Sequence, residues 1–466
     1  MRRWVLLAPA VVALAACTVG PDYRRPEVPA PSVYRGLDPT APPEPGSLGD
    51  LEWWALFQDE TLQSLIRTAL AESYDLRIAV ARIQDARAQY VATRSNQFPQ
   101  LDGVAQAPYA ATTGDRAPLF TLDNSFVPQA GVNLTFELDF WGRWRRATEG
   151  ARADLLATEE ARHVVLSDLV SNVATAYFQL RTLDLGLEIT RRTLAVRQDS
   201  LRLVRLREEG GVVSLMDVYQ AETLVSSALL EIPDFERQIE QTENLISVLL
   251  GRTPGAIPRG RPLDGQFGLP ALPAGLPAAL LERRPDVRLA EQQLVSANAQ
   301  IGVAKSDFFP RIVLLGNIGV AGGVQNSVSF GPMGVFGVGP TLTVPIFTAG
   351  RVQAGVDSAE ARAQEATARY QQTVQQAVHD VSDALVEHRK RLEARREQET
   401  LVQVLRNATA LSNVRYDGGV TSYLEVLDNE RQLFTAELDL SRAQRDELLA
   451  VIRLYRALGG GWQPEA

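Results

Sequence analysis

The sequence is written twice, and that repeat limits the fold more than any other feature. Tyr74-Asp75-Leu76-Arg77-Ile78-Ala79 reads like Pro285-Asp286-Val287-Arg288-Leu289-Ala290, 211 residues later. Phe98-Pro99 and Phe309-Pro310 keep that spacing. Beyond them the spacing becomes 208: Gly142-Arg143 matches Gly350-Arg351, Gly211-Val212 matches Gly419-Val420, Asp217-Val218 matches Glu425-Val426, and Leu250-Gly251 matches Leu458-Gly459. A register held over most of a chain is the mark of a repeated structural unit.

Each copy has the same coarse plan. A helix over 73–96, or 285–306, ends ahead of a Phe-Pro pair, because the residue before proline avoids helical geometry. A strand-like stretch follows. Residues 143–208 and 351–416 then keep helical periodicity, and the first of these contains one glycine, Gly186, and no proline. The pairs Gly210-Gly211 and Gly418-Gly419 break the helix. A second helix runs over 214–250 and 422–458. A helix as long as 143–208 spans ~100 Å and needs partners along its length, as in coiled coils. Several shorter helices in an ordinary bundle are the alternative.

The strands point to a membrane. In residues 126–140, FVPQAGVNLTFELDF, one parity is Phe126, Pro128, Ala130, Val132, Leu134, Phe136, Leu138 and Phe140; the other is mostly polar. A period of two with one apolar face suits a barrel strand between lipid and a wet lumen. In the second copy Phe336, Val338, Leu342, Val344 and Ile346 alternate with Gly337, Gly339, Thr341 and Thr343. The partner stretches 100–113 and 311–323 alternate more weakly. A soluble β-sandwich edge would leave the apolar face uncovered. Two hairpins give four strands, membrane barrels need about eight or more, and open edges cannot sit in lipid. The chain is therefore expected to oligomerise; two copies would give eight strands and three would give twelve with a lumen.

The amino terminus reads as an export signal. Arg2 and Arg3 precede an apolar run from Trp4 to Ala16, a layout too short to cross a bilayer. Leu14-Ala15-Ala16-Cys17 resembles the bacterial lipobox, which implies cleavage before Cys17 and a diacylglyceryl thioether on its sulfur. A plain signal peptide with a leftover thiol is the alternative. Cys17 is the only cysteine, so the lipidated protein would have no free thiol, which suits an oxidising compartment. Thr18, where an aspartate would suggest inner-membrane retention, points to the outer membrane. Losing Arg2 and Arg3 takes the formal charge from −9 to −11, which disfavours nonspecific nucleic-acid binding.

Chemistry-bearing motifs are missing. No nucleophile elbow, phosphate loop or His-Glu-Xaa-Xaa-His occurs, so an enzyme is not expected. His163, His379 and His388 are too few and too scattered for a metal site. Trp141 and Trp144 suit a membrane interface or packing against a neighbouring layer.

The motifs together resemble the TolC-like outer-membrane factor family, in particular its NodT-like and OprM-like lipoprotein branch. The resemblance rests on Cys17-Thr18-Val19-Gly20-Pro21-Asp22-Tyr23 with Arg25-Pro26, and on Trp53-Trp54 with Phe57 and Leu62. It rests further on Leu272-Pro273-Ala274-Gly275-Leu276-Pro277 followed by Leu280-Leu281-Glu282-Arg283-Arg284-Pro285-Asp286, and on Tyr416-Asp417-Gly418-Gly419-Val420 with Tyr423-Leu424-Glu425-Val426-Leu427-Asp428. It implies a mainly α fold with membrane β: a homotrimer, a twelve-stranded barrel, and a tunnel of long antiparallel helices through the periplasm. The segments would be a signal peptide at 1–16, an extended anchor at 17–50, repeat 1 at 51–257, a linker at 258–284, repeat 2 at 285–460 and a tail at 461–466. The implied role is a passive exit duct of a tripartite efflux pump, exporting drugs or other small molecules. Its implied partners are a periplasmic adaptor and an inner-membrane transporter of the resistance-nodulation-division class. No cofactor is implied beyond the lipid on Cys17. A protein-secretion duct and a non-pore coiled-coil lipoprotein are the alternatives.

The resemblance also assigns residues. Gly210, Gly211, Gly418 and Gly419 would be turns at the periplasmic tip. Leu424, Glu425 and Asp428 would form gate rings around a three-fold axis. Asp217 and Tyr416 match positions of closed-state inter-helix bonds, and Arg431 matches a locking arginine. Read from the residues alone, Glu425 and Asp428 are equally a solvated face, Arg431 an i, i+3 partner of Asp428, and Leu424 a coiled-coil knob.

Overall fold

The computed structural model describes residues 18–28, 34–35, 47–110, 125–266, 280–325 and 328–462. The signal peptide, Cys17, the Leu272–Pro277 motif and the last four residues lie outside them. Nine helices and six strands are described: α1 (Trp53–Leu56), α2 (Glu60–Glu72), α3 (Tyr74–Ser95), β1 (Gln100–Gln106), β2 (Tyr109–Ala110), β3 (Ser125–Phe126), β4 (Gln129–Glu137), α4 (Arg143–Glu209), α5 (Leu215–Leu249), α6 (Leu280–Arg283), α7 (Pro285–Ser306), β5 (Arg311–Gln325), β6 (Val328–Thr343), α8 (Arg351–Asp417) and α9 (Tyr423–Ala457). The protein is mainly helical with one small antiparallel sheet. α4 and α8 each have 67 residues, and α5 and α9 each have 35. Among the described residues no helix is apolar enough over its length to cross a membrane.

The chain divides into two compact units. The first comprises residues 1–27, 82–159 and 289–371. It contains the sheet, whose long strands lie in the order β1-β4-β5-β6, all antiparallel. The short β2–β3 pair extends the first hairpin. Residues 126–140 form no single strand: Pro128, which has no N–H for the ladder, separates β3 from β4. β6 begins at Val328, eight residues before the alternation that starts at Phe336, through a glycine-rich stretch with little side-chain pattern. It ends at Thr343, so Val344 and Ile346 lie beyond it.

The amino-terminal strap runs against this unit. Val19 N–H donates to the Trp141 carbonyl at 3.0 Å. Arg146 holds Asp22 at 2.7 Å. The Glu291 carboxylate accepts a bidentate pair from Arg25, both bonds 2.7 Å, and the Tyr23 hydroxyl at 3.0 Å. Bidentate charge-assisted bonds fix geometry as well as add energy.

The second unit comprises residues 28–81, 160–288 and 372–466. Asp59 caps α2 by accepting from Thr61 N–H at 2.9 Å, and Leu62, Leu65, Ile66 and Ala69 bury one helical face. The same carboxylate accepts the buried Tyr177 hydroxyl of α4 at 2.8 Å. Arg284 bonds Asp286, Asp380 and the Ala457 carbonyl, so the residue before α7 ties α8 and α9 together. Such multiple hydrogen bonds are what make burying a guanidinium tolerable.

Candidate functional site

The register of the sheet sorts its side chains onto two faces. One face carries the rows Gly103–Val132–Ile318–Phe336, Leu101–Leu134–Gly316–Val338, Ala105–Ala130–Val320–Gly334 and Phe136–Leu314–Pro340. Every residue in them is apolar. The other face carries Asp102–Asn133–Asn317–Gly337 and Gln100–Thr135–Leu315–Gly339. The apolar face is uncovered: Phe336 is 85% exposed, Val338 71% and Ile318 67%. β1 pairs only with β4 and β6 only with β5 among the described residues. Both edges therefore present unpaired backbone N–H and C=O groups. An apolar face with open edges needs lipid on the face and more strands on the edges.

The four long helices meet at two turns of identical construction. After α4, Val212 N–H donates to the Arg207 carbonyl and Gly211 N–H to that of Glu208, both 2.8 Å. After α8, Val420 N–H donates to the Arg415 carbonyl at 2.9 Å and Gly419 N–H to that of Tyr416 at 3.0 Å. These are Schellman caps, which require a left-handed residue. Gly211 and Gly419 fill that position, each at φ +70°. Gly210 and Gly418 are the last cap residues before them.

Below the turns all four helices share a core. Leu201 and Val204 of α4, Val218 and Ala221 of α5, Tyr416 of α8, and Tyr423, Val426 and Leu427 of α9 are buried together. The rings of Tyr416 and Tyr423 lie 5.2 Å apart. Tyr416 thus serves in packing, with the Arg207 guanidinium 4.6 Å over its ring.

Among the described residues, the bonds of Asp217 stay within its own helix. Its carboxylate accepts Ser214 N–H and Oγ–H, both 2.9 Å, and caps α5. Its counterpart Glu425 has one more methylene and reaches elsewhere: to the Thr421 hydroxyl, and to Arg415 of α8 at 3.0 Å. Asp428 accepts from Arg431 at 2.7 Å and from Gln432, the local i, i+3 pairing. Leu424 is 61% exposed. Helical spacing puts Leu424 and Asp428 on one face, with Glu425 beside them.

Two inter-helix ion pairs at the tip were not anticipated. Arg207 of α4 reaches Asp417 of α8 at 3.1 Å, and Arg415 of α8 reaches Glu425 of α9. The signal was available: Arg207 and Arg415 are 208 residues apart and occupy the same place in the repeat. Their partners depend on packing and could not be read.

Known proteins match this arrangement. A family model described as outer membrane efflux protein matches residues 65–252 and 276–460. The solvent efflux pump outer membrane protein SrpC of Pseudomonas putida is 37% identical over 97% of both chains. The cation efflux system protein CusC of Escherichia coli is 35% identical, again over 97% of both. The open-state crystal structure of the MtrE outer membrane channel of Neisseria gonorrhoeae superposes with a TM-score of 0.83 at 32% identity, covering 96% of this chain and 99% of that one. The chain therefore belongs to the outer membrane efflux protein family, non-enzymatic channels of the outer membrane.

Proposed function

We propose that the chain is the exit duct of a tripartite efflux pump, built as a homotrimer. Four strands from each copy close a twelve-stranded barrel, and the long helices, an internal duplication, line a tunnel into the periplasm. Two copies would give eight strands and a packed interior; three leave a lumen. Cys17 carries the lipid that adds a membrane anchor. Leu424, Glu425 and Asp428 form rings at the tip, where like charges repel one another or recruit cations. Asp217, Tyr416 and Arg431 support the closed arrangement of these helices. The partners are a periplasmic adaptor and an inner-membrane transporter of the resistance-nodulation-division class, which supplies the energy. The cargo is a small molecule or ion, in keeping with relatives named for solvent and cation efflux.

The observation that carries this reading is the sheet, with one apolar face, one mixed face and two unpaired edges. Single cysteines placed along β1 and β6 of the same chain, with Cys17 retained, test it. Oxidation in isolated outer membranes should give a ladder ending at three chains. Monomers only, at every edge pairing tried, would refute the closed trimer.

A further inference from the structure

The internal repeat relates the two halves of the sheet, and this makes its unpaired edges readable. Residues of β1 correspond to those of β5 211 positions later, and residues of β4 to those of β6 208 positions later. The first hairpin pairs Gln100 with Thr135 and Gln106 with Gln129. Moved by those spacings, the pairs become Arg311 with Thr343 and Asn317 with Gly337, and both are found in the second hairpin. The pairs between them keep the same register. The repeat thus governs how strands pair as well as where they lie.

One junction has no counterpart within the chain. β4 joins β5, the end of the first repeat's hairpin to the start of the second's, from Gln129 with Ala321 to Glu137 with Val313. Leu138 N–H adds a bond to the Ile312 carbonyl at 2.8 Å. Beside them the Trp141 ring stacks on Phe309, centroids 4.6 Å apart, and its Nε1–H donates to the Pro310 carbonyl at 2.8 Å. Carried forward from β4 and back from β5 by the same spacings, this junction runs from β6 to β1, the two open edges of the sheet. The residues it calls on are exposed: Ile346 is 93% exposed, Phe347 88%, Leu101 69% and Phe98 54%. Their counterparts Leu138, Asp139, Ile312 and Phe309 are half-buried.

We propose that β6 of one copy pairs with β1 of the next in the register that β4 and β5 show, with Thr343 opposite Val104 and Ile346 opposite Leu101 of the next copy. This rests on the closed trimer proposed above and specifies its seam. On the outer face the seam matches Leu342 with Ala105 and Val344 with Gly103, all apolar; on the inner face it matches Thr341 with Gln106. A slip by one residue would turn the apolar set to the wrong face. Pairing extends β6 past Thr343, its end in the single chain, which accounts for apolar alternation that continues to Ile346. The side-chain lock differs between the two junctions. Ala349 stands where Trp141 does, and Phe347 where Asp139 does, so Phe347 covers Phe98 of the next copy in place of a tryptophan.

Double-cysteine variants of the full-length protein, oxidised in isolated outer membranes, test the register. Val104 and Thr343 of one chain lie on opposite edges of the sheet, about 14 Å apart at ~4.8 Å per strand, so a disulfide between them joins two copies. Val104→Cys with Thr343→Cys should give a ladder ending at three chains. Asp102→Cys or Gln106→Cys with Thr343→Cys should give at least about tenfold less, because a two-residue shift on one face opens the separation to ~7–8 Å, beyond disulfide reach. Leu101→Cys with Ile346→Cys repeats the test on the outer face, against Leu101→Cys with Val344→Cys, so a single misfolded variant does not decide the outcome. Cross-linking that peaks at a shifted pair would overturn the register and leave the trimer standing. Monomers from every pair, in protein folded in the membrane, would overturn the seam together with the trimer beneath it.

Discussion

The two long hairpins, α4–α5 and α8–α9, have the same lengths and the same turns, yet they are held by a different balance of charge and shape. The second is stitched by ion pairs: Arg395 to Glu447, Arg391 to Asp446, Arg406 to Glu437, and Arg453 to Glu387. The corresponding positions in the first are Leu187 and Ile239, Leu183 and Gln238, Gln198 and Leu229, and Leu245 and Gln179. The first has two exposed inter-helix ion pairs, Arg191 to Glu236 and Arg205 to Glu222, and relies more on shape. Gly186 of α4 leaves room for the Phe235 ring, which would come within 2.6 Å of any Cβ there. The same places in the second hairpin are Ala394 and Ala443. Apolar contact is indifferent to salt and pH, whereas partly exposed ion pairs are not. One backbone plan can thus carry a less responsive strut and a more responsive one. The proposed gate residues belong to the more responsive one.

The buried ion pair gives the largest effect. Arg395→Ala leaves Glu447, whose side chain is 9% exposed, without its main partner, and should cost about 3 kcal/mol, read as a lower thermal midpoint. Transplanting the first hairpin's residues, Arg395→Leu with Glu447→Ile, should return stability to within about 1 kcal/mol of wild type. A double variant as weak as the single would break the comparison. Next comes the apolar lock. Gly186→Ala should cost about 1–3 kcal/mol by overpacking against Phe235, and adding Phe235→Leu should recover part of it. The midpoint change should be insensitive to 1 M salt, unlike that of Arg395→Ala. The caps come last. Asp217→Ala removes both bonds to Ser214 and should cost about 1 kcal/mol. Arg415→Ala, which breaks a half-exposed pair with Glu425, should cost about 0.2–1 kcal/mol. Hydrogen exchange at the two turns would register both.

Much of the architecture was legible because it rests on local rules. Continuous helical periodicity matches the long helices within a residue or two at each end, α5 despite its Pro233, and glycine at the cap marks the turns. Alternation gave the apolar face of β4. The break at Pro128 leaves the alternation intact, because the proline falls on the apolar parity while its missing N–H interrupts the ladder. The start of β6 was hidden because Ser329 to Gly334 offers almost no side-chain pattern. At the turns, the family resemblance marks Asp217, and the structure adds its capping bonds to Ser214. Arg207–Asp417 and Arg415–Glu425 depend on which helix faces which. The burial of Arg197, Thr409 and Glu430 was illegible for the same reason: each is an ordinary polar residue on a long helix until packing buries it.

Single-channel conductance in planar bilayers tests the central claim most directly. The purified wild-type protein should show small, flickering, cation-sensitive conductance, and Glu425→Ala with Asp428→Ala should raise it several-fold, since an acidic ring at a constriction controls passage. Conductance unchanged by the mutations would contradict the gate. No conductance from either protein, as folded trimers, would contradict the duct itself.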